Sequence, residues 1–218
     1  MPNIIDTTYF ERGNLYIPNN KDYNVEPEGA PTIITDLEAS ISKYERELLL
    51  NALGVTLYDE LQVALVDLPG SDQKWTDLVE GRNYTNVDGK VKRWDGLKGY
   101  NGQSLIAFYI FTEYLRNDNE EYATVGTVRN TAKNAEVVSA TPKFIKAYSQ
   151  FISFYQGKLS FNEPQVLVNG FGSAGFDWYN ESVQVSLYNY LTDCNDLEAT
   201  SFPDFEFKVY ESQNSFGI

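Results

Sequence analysis

The segment NGQSLIAFYIFTEYLR, Asn101 to Arg116, constrains the fold more than any other part of the chain. Its apolar residues cover most of a helical circumference rather than one stripe, so a helix here must be buried on several sides. A chain of 218 residues can supply the covering layers, since domains commonly run to roughly 100–200 residues. The other elements are expected to wrap this central helix.

Three amphipathic segments are suited to that task. Thr35 and Glu38 form a capping-box pair, and Leu37, Ile41, Tyr44, Leu48 and Leu49 follow at helical spacing. A first helix is therefore expected from about Asp36 to Leu53, with Gly54 as its left-handed stop. Thr56 can cap a second helix, with Leu57, Leu61, Ala64, Leu65 and Leu68 on one face, ending before Pro69 and Gly70. So short a connection makes the two packed neighbours, antiparallel or steeply crossed. Thr141 and Pro142 open a further helix whose face carries Phe144, Ile145, Tyr148, Phe151, Ile152 and Tyr155, up to Gly157.

The remaining stretches break this rhythm. A short helical turn is expected around Trp75 to Val79, then a β-hairpin at about residues 82–96, with Asp88–Gly89 tolerating positive φ at its tip. Lys90, Lys92, Arg93 and Lys98 make this the most basic region, either a solvated hairpin face or a contact for an acidic partner surface or the DNA backbone. Residues 1–34, with Pro18, Pro27 and Pro31, read as an extended N-terminal arm. Its Ile4, Ile5, Phe10, Leu15 and Ile17 need a surface to cover, on the chain's own core or on a neighbouring subunit. Residues 117–140 read as a long loop with a basic tip at Arg129 and Lys133. Residues 158–218 read as a mixed α/β extension, with a helix from about Glu181 to Leu191 and a strand-like FEFKVY at Phe205 to Tyr210. Phe216 and Ile218 at the tail have no evident home core.

Charge and composition narrow the function. The chain has 31 acidic and 17 basic residues, a formal charge of −14, which argues against holding nucleic acid by neutralising phosphates. Residues 158–218 alone contain nine acidic and two basic side chains, half of that net charge. Histidine is absent, which removes the commonest neutral-pH base, the usual catalytic triads and almost all zinc chemistry. The one cysteine, Cys194, cannot form an intrachain disulfide and is expected as a buried thiol. The N-terminal MPNIIDTTYF lacks the basic and apolar regions of a signal peptide. Leu105 to Phe111 is the longest apolar run, far below the ~20 residues of a membrane helix. Sixteen tyrosines and thirteen phenylalanines suit a core or a large protein interface equally well.

No motif assembles a credible active site. Gly170, Gly172 and Gly175 match G-x-G-x-x-G after a VLV run, but Phe176 to Asn180 does not open an amphipathic helix able to receive a pyrophosphate. Asp193, Asp196 and Glu198 could meet a hard cation, yet lack the ordered EF-hand spacing and read better as a solvated acidic loop. Pairs such as Glu120–Glu121 or Asp204–Glu206 occur in any acidic chain. Two glycosylation sequons, at Asn83 and Asn180, matter only in a secreted protein. The expectation is a non-enzymatic protein without metal or cofactor.

The ordered segments ISKYERELLLNALG, LYDELQVAL, SLIAFYIFTEYLR, GTVRNTAKNAE and TPKFIKAYSQFISFYQG, spanning about Ile33 to Gly157, resemble the head-to-tail connector (adaptor) proteins of tailed bacteriophages. The likeness is greatest to the ring proteins of crAss-like phages. This resemblance implies a mainly α fold with a four-helix adaptor-like bundle, to which the residues add a hairpin insertion, an extended N-terminal arm and a mixed α/β C-terminal extension that goes beyond a minimal adaptor. It also implies a virion role at the head–tail junction, after synthesis in the host cytoplasm. There a ring of twelve copies binds the portal protein and other connector or tail proteins around a channel that DNA crosses without specific binding. By the same resemblance Arg129, Lys133, Phe216 and Ile218 are the candidate partner contacts. The acidic residues would suit a channel wall that repels phosphate.

A different class of function is an aromatic-rich carbohydrate-binding or decoration module, in which Trp94, Trp178 and Tyr179 stack on sugar rings. Solvent exposure separates the two readings: a flat exposed aromatic row favours sugar, and aromatics packed between elements do not.

Overall fold

The computed structural model describes residues 2–17, 33–118, 121–123, 126–128, 141–157 and 184–211. The architecture is mainly helical, with five α-helices and two two-stranded antiparallel ribbons among the described residues. The helices are α1 (Ile33–Ala64), α2 (Gln73–Glu80), α3 (Leu105–Asp118), α4 (Thr141–Tyr155) and α5 (Leu187–Leu197). The ribbons pair β1 (Arg82–Thr85) with β2 (Val91–Trp94), and β3 (Glu121–Ala123) with β4 (Gly126–Val128).

α3 is the central helix that its sequence demands. Every residue from Leu105 to Thr112 is buried, and α1 and α4 both pack against it. The Tyr109 ring lies 5.0 Å from Phe151 of α4 and 6.4 Å from Tyr44 of α1. The helix starts later than Asn101, because Asn101 (φ 53°) and Gly102 turn the chain. Ser104 then caps it: its hydroxyl accepts from the amides of Ile106 (3.1 Å) and Ala107 (3.4 Å) and donates to the Leu97 carbonyl (2.7 Å).

The two helices expected before and after Gly54 form one element broken at a single residue. Gly54 has φ 77° and ψ 173°, a region open essentially to glycine alone, and the Glu206 side chain lies against it. The expected apolar faces are buried on both limbs, at Leu37, Ile41, Tyr44, Leu48 and Leu49, then at Leu57, Leu61 and Ala64. Two boundaries differ. α1 begins at Ile33, so Thr35 falls inside the helix rather than at its cap, and Thr56 follows the break with no cap region of its own. Beyond Ala64 the chain tightens into a 3-10 segment, Leu65–Gly70, that contains Pro69. Among the described residues one stretch, Leu37–Gly70, matches a membrane-crossing helix in length and hydropathy. Gly54 breaks it, and its Leu48, Leu49, Ala52, Leu53, Leu57 and Leu61 are buried in the protein's own core.

The hairpin forms where expected, with Arg82 opposite Trp94 and Thr85 opposite Val91. Its tip differs from a two-residue Asp-Gly turn. The Asn86 carbonyl accepts from the Gly89 amide (2.9 Å), its amide donates to the Lys90 carbonyl (3.0 Å), and its side chain accepts from the Lys90 amide (3.0 Å). Only Gly89 takes positive φ, at 76°, which is the three-residue loop with a glycine bulge. The short β3–β4 ribbon likewise breaks up the expected loop 117–140. YATVGTV has strand propensity but is too short to show a period.

α5 is set six residues later than the helix expected at Glu181 to Leu191. Gln184 pairs with Arg93 in parallel, and the Val185 amide donates to the Arg93 carbonyl (3.1 Å), so β2 captures the start of this segment. Ser186 then caps α5, accepting from the Asn189 amide. The helix buries Leu187, Tyr190, Leu191 and Cys194 in the same hydrophobic cluster as α1, α3 and α4.

Candidate interaction surface

Residues 2–17 form a strap bound to the chain's own core. Ile4, Ile5, Phe10, Leu15 and Ile17, the apolar residues of the expected arm, are all buried there, each contributing about 1.5–3 kcal/mol over an exposed position. Asp6 organises the strap locally, its carboxylate accepting from the Thr8 amide (2.9 Å) at the start of the 3-10 turn Thr7–Phe10. At its end the Lys143 ammonium donates to the Tyr16 carbonyl (3.0 Å).

The polar centre of this attachment is Glu45 of α1. The side chain is 2 % exposed, and its two oxygens accept from the amides of Ile4 (2.7 Å) and Ile5 (3.2 Å). Both donors favour the charged carboxylate, but burial outweighs them and pushes the Glu45 pKa up to about 7. Glu45 is thus a carboxyl latch that changes protonation near neutrality. Beside it lies a cavity of about 250 Å³, whose wall includes Arg46, Gln62 and Asn3.

The C-terminal segment is fastened differently. The Gln156 carboxamide at the end of α4 donates to the Tyr210 carbonyl (2.8 Å) and accepts from the Tyr210 amide (2.9 Å). Asn195 of α5 repeats the device on Phe202, donating to its carbonyl and accepting from its amide, both at 2.8 Å. A carboxamide has one donor edge and one acceptor edge, so each side chain satisfies both backbone polar groups of one residue. The Asn51 carbonyl, three residues before the break in α1, accepts from the Lys208 amide (2.7 Å) and the Tyr155 hydroxyl (3.2 Å). FEFKVY, strand-like in its pattern, forms no strand and lies against helices. Phe205, Phe207 and Tyr210 pack on the core, and Phe207 stacks on Tyr155 at 4.3 Å.

The sequence-derived site candidates fare unevenly. Arg129, Lys133, Phe216 and Ile218 lie outside the described residues, as do Gly170, Gly172, Gly175, Trp178, Tyr179 and Glu120. Trp94 is 3 % exposed, stacks on Tyr190 at 5.2 Å and donates its indole N–H to the Leu78 carbonyl (2.9 Å). It is a core residue with no face open to a sugar ring. Asp193 and Asp196 belong to α5 rather than a loop, and Asp193 accepts from the Tyr84 hydroxyl (2.6 Å). That bond and burial, with burial the larger cause, raise the Tyr84 pKa. Cys194 is buried, and burial pushes its thiol up.

Within the basic region Arg93 pairs with Asp95 (2.7 Å) and Lys98 with Glu80.

The functional residues missed in the sequence are Glu45 and Gln156. Position 45 falls four residues after Ile41 and three before Leu48, on the apolar face of α1. An acid at that register was the available signal, since a carboxylate is rarely buried without a partner. Gln156 follows the last turn of α4 and carried no such signal. No family model, curated protein or solved structure matches this chain.

Proposed function

We propose that this chain is a non-enzymatic structural subunit of a tailed-phage virion, part of the ring joining the portal of the DNA-filled head to the tail. In this reading α3, α4 and the two limbs of α1 are the four helices of an adaptor-like bundle. Copies pack side by side around the DNA channel, and the chain's acidic residues keep phosphate from adhering to it. Residues 117–140 and the chain beyond Gly157, with Arg129, Lys133, Phe216 and Ile218, meet the portal, tail proteins or the next subunit.

The observation that carries the reading is the use made of buried polar chemistry. Glu45, Gln156, Ser104 and Thr112 each bond to backbone groups, and the first two tie distant segments to the helical bundle. Such fastening suits a part that must stay assembled under load. Val55 and Val63, 66 % and 76 % exposed and eight residues apart on α1, offer apolar contact for a neighbouring copy. Native mass spectrometry and electron microscopy of the full chain, alone and mixed with its portal, test this. Rings on the portal are expected, and a chain that remains monomeric and never joins a portal contradicts it.

A further inference from the structure

Between the strap and α4 lies a groove of about 400 Å³ whose chemistry neither the core nor the Glu45 latch employs. Its polar lining is Asn14 from the strap, Gln103 from the turn before α3, and Lys143, Lys146 and Gln150 from α4, with Phe108 on its wall. Among the described residues no carboxylate lines it, in a chain that carries −14 overall. Lys143 is held in place by its bond to the Tyr16 carbonyl and by the Phe111 ring, 4.9 Å from its ammonium. That leaves it two N–H donors among the described residues. The Lys146 ammonium and the carboxamides of Asn14, Gln103 and Gln150 have no partner among the described residues.

The convergence is therefore of cations and neutral donors, and it asks for an anion with several acceptor oxygens. A carboxylate presents two oxygens. A phosphate presents more, with a charge of about −1.5 to −2 at neutral pH when singly esterified, and charge-assisted bonds to ammonium groups are the strong ones. The groove is within the roughly 300–1,000 Å³ range of small-molecule sites, so it has room for the body of such a molecule beside the phosphate. The chain's overall negative charge acts at longer range and opposes an extended polyanion.

We propose that this groove binds a small phosphomonoester, with its phosphate between Lys143 and Lys146. Asn14 and Tyr16 belong to the strap, so the site is complete only while the strap is docked, and an occupant would in turn hold the strap down. The site does not depend on ring assembly and can be tested on the isolated chain.

The test is calorimetric and backbone-amide NMR titration of the full chain with inorganic phosphate, glycerol phosphate, succinate and a single-stranded oligonucleotide. Saturable binding of both phosphate probes is expected, with the shifts centred on Asn14, Lys146 and Gln150. Lys146→Glu should weaken it at least tenfold with an unchanged melting temperature, because Lys146 is exposed. Gln150→Ala should weaken it less. Absence of saturable phosphate binding overturns the proposal, as does binding that survives Lys146→Glu. Succinate binding as tightly would reassign the site to carboxylates, and preferred oligonucleotide binding would reassign it to nucleic acid; either result contradicts it.

Discussion

Residues 2–17 reach α1 through a carboxylate, Glu45, whereas residues 202–210 reach α4 and α5 through two carboxamides, Gln156 and Asn195. The strap buries Phe10 and aliphatic side chains, and residues 202–210 bury aromatic ones, in the same core. They differ in what the polar group can do. A carboxylate that accepts two amides is satisfied only as an acceptor, and its burial makes it titrate near neutrality. A carboxamide pairs with both backbone polar groups of one residue at any ordinary pH. One end of the chain is thus held by a bond that responds to protons, and the other by bonds that do not.

The largest effect expected is at the apolar anchor of the strap. Phe10 is fully buried, and Phe10→Ala should cost about 3–5 kcal/mol in urea unfolding. A loss below about 1 kcal/mol would mean that the strap is not part of the cooperative core.

The contrast itself appears in pH dependence. Folding raises the Glu45 pKa from 4.5 to about 7, so the folded state holds that proton more tightly. The Glu45 contribution to stability is then fully present below about pH 4.5 and falls by about 3 kcal/mol as pH rises to 7. Above that it is level. Glu45→Gln should lack this slope, so the difference in stability between variant and parent should carry it in full. The variant is otherwise weakened by the one strap amide left without an acceptor, roughly 1–3 kcal/mol.

Gln156→Ala should cost roughly 2–3 kcal/mol, because it strips partners from both backbone polar groups of Tyr210, and the loss should be the same at pH 5 and pH 8. A pH-dependent loss there would erase the distinction between the two ends. Gly54→Ala should cost on the order of 1–3 kcal/mol from backbone strain, seen as a lower melting temperature. It should also loosen the C-terminal segment through Glu206 more than the strap. Val63→Asp, on an exposed position, should change monomer stability by no more than about 0.5 kcal/mol while weakening any self-association read by native mass spectrometry.

Much of the helical fold was legible in spacing. The apolar faces of α1, α3 and α4 are the buried ones, and the all-round apolar pattern of Leu105 to Thr112 marked the centre correctly. What spacing could not supply is what lies alongside. FEFKVY alternates like a strand yet forms none, because a Gln side chain and the Asn51 carbonyl serve in place of a neighbouring strand. The start of α5 moved because Val185 is drawn into β2, a long-range pairing invisible to a local window. The strap looked like an arm in search of a surface, and its own core is that surface. Glu45 could have been found from its register among leucines, but the groove of Lys143 and Lys146 could not, since it exists only once the strap lies across α4.

The most direct test is amide hydrogen exchange at Ile4, Ile5 and Tyr210, corrected for intrinsic rates, between pH 5 and pH 8. Protection at Ile4 and Ile5, whose amides end on Glu45, should fall as Glu45 ionises and level off above pH 7, and should fall further than protection at Tyr210, which shares only the global part of the change. Parallel behaviour of the three amides across that range would contradict the account.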